Sequence, residues 1–252
     1  MDFKLLNLLA EIIACCELPP EGGPGHPRSA TVHVLATLRR FLREGTPWRS
    51  LRASSGQASG STLRRFLARW AETGVLVKVH AILVAMLRGN PTLILDSCSV
   101  RAKRGGDLTG PNPTDRAKMG TKYHLAVDGG GIPVACAVTA ANVPDTRLFQ
   151  RLLLAASGVM KRIQNVFTDK GYDDKRHRAA CRAMGAQPFI HKRGRPHGSG
   201  LGRLRWPVER TLGWLLENKR LGLRYDRCDY IIRSLLQAGC IFLVVAALVR
   251  EL

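Results

Sequence analysis

The first third of the chain shows the hydrophobic spacing of amphipathic helices. Apolar residues recur three or four positions apart in segments 5–13, 30–43 and 63–70. This spacing places one apolar stripe along each helix. A stretch rich in proline and glycine, 19–27, separates the first two segments. The pattern predicts a helical region over residues 1–90.

Arginines lie off the apolar stripe of the third helix. That helix follows a short helix at 48–51 and a turn rich in serine and glycine at 54–61, an order typical of a helix-turn-helix. Its candidate DNA contacts are Arg64, Arg65 and Arg69. Many helical bundles share this outline, so a solvated or dimer-forming face is the alternative. DNA binding or dimerisation is therefore predicted for this region.

Beyond residue 90 the pattern changes to short apolar runs typical of strands. Strands are expected at 92–98, 122–127, 132–139, 166–168 and 187–190, and helices at about 145–157, 173–184, 206–220 and 229–250. The polar stretch 101–118 predicts a loop. The helix before the fourth strand is long enough for a crossover, so that strand is expected to pair in parallel with the first. Residues 91–252 are thus predicted to form an α/β ribonuclease-H-like core, a mixed five-stranded sheet flanked by helices.

Three acidic residues are expected to meet in this core. Asp96 and Asp169 each end a short apolar run, and Glu209 lies in the helical segment opened by Trp206-Pro207. A carboxylate at a strand end costs free energy unless it is solvated, paired or metal-bound. Three such acids can hold two divalent cations, the arrangement that phosphodiester chemistry uses. We predict two Mg²⁺ or Mn²⁺ ions, with Asp96 as the bridging ligand and Asp169 and Glu209 on either side.

Each acid taken alone has a simpler structural explanation. Asp96 can cap a loop, and Asp169 can start a turn. Glu209 can pair with Arg205 or Arg210. The three together, in this order and on these elements, favour a catalytic role.

The charge of the chain favours a polyanionic partner. Its 252 residues include 39 lysines and arginines against 19 aspartates and glutamates, a formal net charge of +20. This excess attracts nucleic acid first and an anionic membrane surface second. The candidate DNA contacts around Glu209 are Lys192, Arg193, Arg195, Arg203, Arg205, Arg210, Lys219 and Arg220. The alternatives are a solvated basic face or a ribosome-associated basic protein.

Cysteine usage and apolar runs bear on the compartment. None of the seven cysteines forms a CxxC pair, and no histidine cluster has zinc-ligand spacing, so neither a disulfide framework nor a zinc site is expected. No signal peptide is recognisable. The apolar run 238–249 lies between Arg233 and Arg250 and is short for a membrane span. We therefore expect a buried terminal helix, no membrane partner, and a cytoplasmic, nucleoid-associated protein.

Short motifs surround the three acids. They are Leu95-Asp96-Ser97, Gly120-Thr121-Lys122-Tyr123-His124-Leu125, Ala141-Asn142-Val143-Pro144-Asp145, Thr168-Asp169-Lys170-Gly171-Tyr172-Asp173 and Trp206-Pro207-Val208-Glu209-Arg210. With these motifs the chain resembles bacterial insertion-sequence transposases of the DDE class, in the IS-five-like branch, over nearly its whole length. The resemblance implies a Mg²⁺-dependent enzyme with these three acids as catalytic residues. It also implies cleavage of double-stranded DNA at inverted-repeat ends, 3′-OH strand transfer into target DNA, and a homodimer or larger assembly.

Related families carry a wider signature: Tyr, two residues, Arg, three residues, Glu, six residues, Lys. Arg205 fills the arginine position, whereas Gly202 and Leu216 stand at the tyrosine and lysine positions. On a continuous helix, Arg220 would return to the face of the glutamate about 16 Å farther along, where it would hold a DNA phosphate. Lys219 would fall off that face.

For the polar and aromatic side chains near the three acids, a structural role is the preferred interpretation. Asp145 is expected to be the N-cap of the helix that it opens. Trp214 is expected in the core, with stacking on a flipped base as the alternative. His124 and His191 are either near the site or structural.

Two other functions remain open at this stage. A ribonuclease-H-like DNA nuclease would share the acids but lack strand transfer. A catalytically inactive DNA-binding relic or repressor would keep the basic surface without needing the acids, and the intact triad argues against it.

Overall fold

The computed structural model describes residues 3–17, 28–191 and 201–251. Its α-helices are α1 (Phe3–Cys16), α2 (Thr31–Glu44), α3 (Gly60–Thr73), α4 (Val75–Met86), α5 (Phe149–Ser157), α6 (Lys175–Ala183), α7 (Leu201–Leu216), α8 (Lys219–Gly222) and α9 (Asp229–Glu251). Short 3₁₀ helices lie at Trp48–Ser50, Asp145–Leu148 and Lys170–Tyr172. The strands are β1 (Thr92–Arg101), β2 (Gly110–Pro111), β3 (Met119–Asp128), β4 (Pro133–Ala140), β5 (Asn165–Thr168) and β6 (Gln187–Ile190).

The helices predicted near the N-terminus are confirmed, and their ends have local causes. Helix α2 buries its apolar stripe and ends at Gly45, whose φ of 68° is the left-handed conformation that glycine adopts most easily. Helix α3 begins after Ser59, whose hydroxyl accepts a hydrogen bond from the Thr62 amide. Its buried residues include Leu63, Leu67 and Trp70.

The sheet confirms the predicted mixed topology and adds one strand. Its order is β2-β3-β1-β5-β6, with β4 also paired to β3. Strand β1 is antiparallel to β3 and, as predicted, parallel to β5, which is parallel to β6. The added strand is β2, two residues long, which pairs with β3 inside the stretch predicted as loop. So short a strand leaves no hydrophobic period in the sequence.

Helix α9 joins the N-terminal helices to the sheet in one core. It packs against α3, α4 and β4, and Leu236, Cys240 and Val244 on it are fully buried. By length and composition α9 is apolar enough to cross a membrane, but 67% of its apolar window is buried inside the fold. This burial is that of a core helix.

The helix predicted at 206–220 is wrong at both ends. Helix α7 begins earlier, at Leu201, so Pro207 lies inside it. The chain leaves the helix after Leu216. There the side-chain amide of Asn218 donates to the carbonyls of Trp214 and Leu215 at 3.2 and 3.1 Å. A side chain that satisfies the last carbonyls ends a helix, and α8 is therefore a separate element.

Candidate active site

The parallel pairing of β1 and β5 aligns two of the predicted acids. Thr92 lies opposite Asn165 and Ile94 opposite Phe167. Continuing this register by two residues places Asp96 opposite Asp169. The last pair in this register is Ile94 with Phe167, so the two aspartates lie just beyond it, and Asp169 is close enough to Asp96 to raise its pKa.

Asp96 is held by the next residue of β1 and by an arginine from α7. Its side chain is 16% exposed, and Oδ2 accepts a hydrogen bond of 2.7 Å from Nη2 of Arg205. Oδ1 accepts one of 2.8 Å from the Ser97 amide. Burial raises the pKa of Asp96, Arg205 opposes that rise, and nearby Asp169 adds to it. The site therefore favours a cation next to this carboxylate.

Asp169 begins the 3₁₀ helix Lys170–Tyr172. Its Oδ1 accepts a hydrogen bond of 2.9 Å from the Gly171 amide. A Cβ at residue 171 would lie only 2.9 Å from that oxygen, so glycine allows the tight turn. The predicted turn is present, and it fixes the carboxylate at the end of β5.

Glu209 lies farther out than the two aspartates. Its side chain is 52% exposed, and its Oε1 is 3.8 Å from Nη2 of Arg205. Arg205 therefore links Glu209 to Asp96.

The donor chemistry suits a hard cation at the aspartates. Carboxylate oxygens are the ligands that Mg²⁺ and Mn²⁺ prefer, and Asp96 and Asp169 present them side by side. Within the described ranges no three His, Cys, Asp or Glu side chains are close enough to hold one ion. Asp96 and Asp169 thus fit a divalent cation, and Glu209 would have to move inward to join them.

A second polar group lies behind Asp96, on the other face of the sheet. Ser97 Oγ donates to Asp145 Oδ1 at 2.9 Å, and Lys122 Nζ lies 2.9 Å from the same oxygen. His124 Nδ1 is 3.8 Å away, and burial lowers the pKa of His124 to about 4. Alternation along β1 turns Ser97 away from the side of Asp96. Sequence reasoning missed this group, although its members occur in the motifs beside the acids.

The prediction that Asp145 is a helix N-cap is wrong. Pro144 precedes the 3₁₀ helix Asp145–Leu148, and no side chain caps it. The carboxylate is taken up by Ser97 and Lys122 instead, because these strand residues offer it a hydrogen bond and a positive charge.

Tyr172 lies near the carboxylates of Asp96 and Asp169 and also near that of Asp145. Its side chain is fully buried, and its hydroxyl has no hydrogen-bond partner among the residues described. Burial raises the pKa of Tyr172, and the nearby Asp145, Asp96 and Asp169 add to the rise.

The predicted DNA contacts fall into different environments. Arg64, Arg65 and Lys219 are exposed, whereas Arg69 is ion-paired with Glu17 at 2.5 Å. Four others lie outside the described residues, either entirely (Lys192, Arg193 and Arg195) or in their side chain (Arg203).

The Arg210 side chain is held in place by contacts with neighbouring protein groups at the surface. Its guanidinium lies 4.6 Å from the ring centres of both Trp206 and Trp214, and it donates to the Gly130 carbonyl at 2.7 Å. Trp214 thus packs against the Arg210 guanidinium on the surface of α7.

The expected position of Arg220 is wrong. Helix α7 has ended before this residue, and the Arg220 side chain is 6% exposed. Its guanidinium makes two 2.8 Å hydrogen bonds to Asp226 and lies 4.3 Å from the ring centre of Phe41. These contacts occupy the side chain inside the fold, so we do not propose Arg220 as a DNA contact.

Comparison with known proteins agrees with this fold. A solved structure, the cryo-EM piggyBac transposase synaptic complex with hairpin DNA, matches 99% of this chain and 75% of that chain with a TM-score of 0.53 at 9% identity. That likeness supports the ribonuclease-H-like fold. The chain is also 33% identical over 118 residues to an uncharacterized 16.2 kDa protein of insertion element IS402 from Burkholderia cepacia, covering 45% of this chain and 80% of that protein.

Two further matches concern the family of the chain. The chain is 41% identical over 162 residues to the putative transposase for insertion sequence element IS402 from Burkholderia cepacia, covering 62% of this chain and 75% of that protein. The family described as "Transposase DDE domain" matches residues 88–249, a range that includes Asp96, Asp169 and Glu209. The chain therefore belongs to the DDE transposases of bacterial insertion sequences.

Proposed function

We propose that this DNA transposase cuts DNA at the inverted-repeat ends of its element and joins the freed 3′-OH to target DNA. Asp96, Asp169 and Glu209 are the proposed catalytic acids. The observation that carries the proposal is the register of β1 and β5, which aligns the two aspartates at one end of the sheet. Arg205 connects Glu209 to the same place.

Divalent metal ions are the family's cofactor, and we propose two Mg²⁺ or Mn²⁺ ions here. Asp96 would contact both, with Asp169 on one side and Glu209 on the other. Such a pair supplies an activated attacking oxygen and a stabilised leaving 3′-oxygen. The acids hold their places through the Gly171 amide, the Ser97 amide and Arg205. Cleavage and joining can then share one site without a covalent protein intermediate.

The partner that this proposal requires is double-stranded DNA, at the element ends and at the target. The net charge of +20 supplies a sequence-independent attraction to phosphates. We propose that residues 1–90 bind DNA or mediate dimerisation and that residues 91–252 carry the catalysis. A homodimer or larger assembly would bring two ends together, in the cytoplasm and near the nucleoid. Membership of the IS-five-like branch stays a prediction.

The test uses labelled duplexes that carry the element ends together with their flanking DNA. Cleavage and joining are measured with Mg²⁺ for the parent and for Asp96→Asn, Asp169→Asn and Glu209→Gln. Glu217→Gln is the matched control, because it makes the same chemical change at an exposed glutamate just beyond α7. We expect all three acid variants to lose both reactions and to keep DNA binding, while the control retains both.

Other outcomes would change the assignment. Cleavage without joining would identify a nuclease of the same fold. DNA binding without cleavage by the parent would identify an inactive relic. Activity that survives in Asp96→Asn or Asp169→Asn would show that the aligned aspartates are not the catalytic pair.

A further inference from the structure

A basic groove of about 800 Å³ opens beyond the end of β1. It lies between the 3₁₀ helix Trp48–Ser50, helix α3 and the segment 224–228. Five arginines line it. Arg220 is buried and paired with Asp226, and the other four are Arg49, Arg64, Arg104 and Arg227. All four are exposed, and none forms an ion pair with a carboxylate in the described part of the chain.

The acidic residue in the groove is already neutralised. Asp226 is buried, accepts two hydrogen bonds from Arg220, and accepts one of 2.8 Å from the Trp48 indole. Its charge is therefore unavailable to the surface arginines. Unpaired like charges gathered in one groove create a strong local field for a polyanion.

The arginines are carried on a rigid frame. The buried guanidinium of Arg224 donates to the carbonyls of Gly105 and Asp107, and the Asp107 amide donates to the Arg227 carbonyl at 2.8 Å. Gly106, with a φ of 95°, lies so close to Arg227 that a Cβ would be 2.6 Å from its Cα. The loop that bears Arg104 is thereby fixed against the segment that bears Arg227.

Aromatic and polar groups orient the groove further. The Arg64 guanidinium donates to Tyr230 Oη at 3.4 Å and lies 5.9 Å from the ring centre of Trp48. Tyr225, 38% exposed, also lines the groove. Guanidinium groups held in place this way lose less side-chain entropy when they bind a phosphate.

The groove and Asp96 share one face of the sheet at a fixed distance. Alternation along β1 turns Asp96, Cys98, Val100 and Ala102 to the same side, and Ala102 pairs with Arg224 at the edge of the groove. Six residues of strand span about 20 Å. At about 3.4 Å per base pair, that distance corresponds to about six base pairs of duplex.

We propose that this groove binds the phosphate backbone of the element-end duplex about six base pairs from the phosphate that is cut. Arg49, Arg64, Arg104 and Arg227 are its phosphate contacts. The inference rests on the proposed function and assigns a place on the protein to a defined part of the substrate. Such contacts position the duplex without reading its sequence.

The experiment removes the three arginines whose guanidinium groups form no hydrogen bond or ion pair with the residues that the structure describes, in Arg49→Ala/Arg104→Ala/Arg227→Ala. The matched control, Arg151→Ala/Arg162→Ala/Arg182→Ala, removes the same charge from exposed positions on or beside α5 and α6. Binding of a labelled element-end duplex is measured against salt concentration without divalent metal. Thermal unfolding of each variant checks that it is folded.

We expect the groove variant to flatten the slope of log K against log salt by about 2.7, or about 0.9 for each phosphate that is no longer bound. The control should keep the slope of the parent. Chemical blocking of single phosphates should weaken binding by the parent most at about six base pairs from the cut. The effect there should be much smaller for the groove variant, which keeps only Arg64 of the four proposed contacts.

Different failures separate the two proposals. If the groove variant keeps the salt slope and the phosphate-interference pattern of the parent, the groove assignment is wrong. The role of the three acids is tested separately, by the cleavage assay. If that variant binds and cuts element ends normally but no longer joins them to a second duplex, the groove holds target DNA and the assignment is overturned. If the parent does not cleave, the slope still decides whether the groove binds a DNA backbone.

Discussion

The buried ion pair between Arg220 and Asp226 gives the most quantitative prediction. Both side chains are nearly inaccessible, at 6% and 3% exposure, and the two hydrogen bonds between them are 2.8 Å long. Arg220→Met leaves Asp226 buried, and within the described part of the chain its one remaining side-chain hydrogen bond comes from the Trp48 indole. Removing one member of such a pair costs about 3–5 kcal/mol in the free energy of unfolding. For a chain of this size, that loss lowers Tm by roughly 6–20 °C.

The double variant Arg220→Met/Asp226→Leu separates structure from DNA contact. It keeps the net charge of the parent and removes both buried ions, so we expect it to be more stable than Arg220→Met alone. Thermal unfolding gives the stabilities, and binding of an element-end duplex gives the affinity. We expect the affinity of the parent, because the exposed arginines are unchanged. A double variant with the Tm of the parent but weakened DNA binding would refute this reasoning and place Arg220 at the DNA.

Two further predictions concern the polar side chains of His80 and Asp145. His80 accepts from the Gln237 amide through Nδ1 and donates to the Pro133 carbonyl through Nε2, and burial lowers its pKa from 6.5 to about 4. Because the unfolded chain takes up this proton first, stability should fall by about 3 kcal/mol as the pH drops from 6.5 to 4, and His80→Gln should remove that part of the pH dependence in urea unfolding. Asp145→Asn removes the charged partner of Ser97 behind the active strand, and we expect cleavage to fall about 10- to 100-fold at unchanged DNA affinity. Cleavage at the rate of the parent would exclude this positioning role for Asp145.

The local pattern of apolar and polar residues was enough to predict most of the sheet. Strand β6 was predicted at its observed bounds, and the parallel pairing of β1 with β5 followed from the length of the crossover. That pairing was the step needed to bring Asp96 next to Asp169. The hydrophobic period and the order of elements along the chain are properties of the sequence alone, which explains this success.

The errors occur where a distant side chain decides the local structure. The 3₁₀ helix at Asp145 depends on Ser97 and Lys122, both on strands far away in sequence. Arg220 is buried because Asp226 and Phe41 surround it. Position along a predicted helix gives no information about these distant partners. Both residues were therefore interpreted from sequence spacing alone.

The position of α9 in the chain has a consequence for biosynthesis. Helices α3 and α4 pack against α9, yet α4 ends at Met86 and α9 ends at Glu251. At about 5–20 residues per second, the ribosome takes roughly ten to thirty seconds to make the intervening chain. During that interval the apolar faces of α3 and α4 have no native cover from α9. Completion of the fold is thereby tied to translation through residue 251, and a product that stops before residue 229 would expose these faces to aggregation or proteolysis.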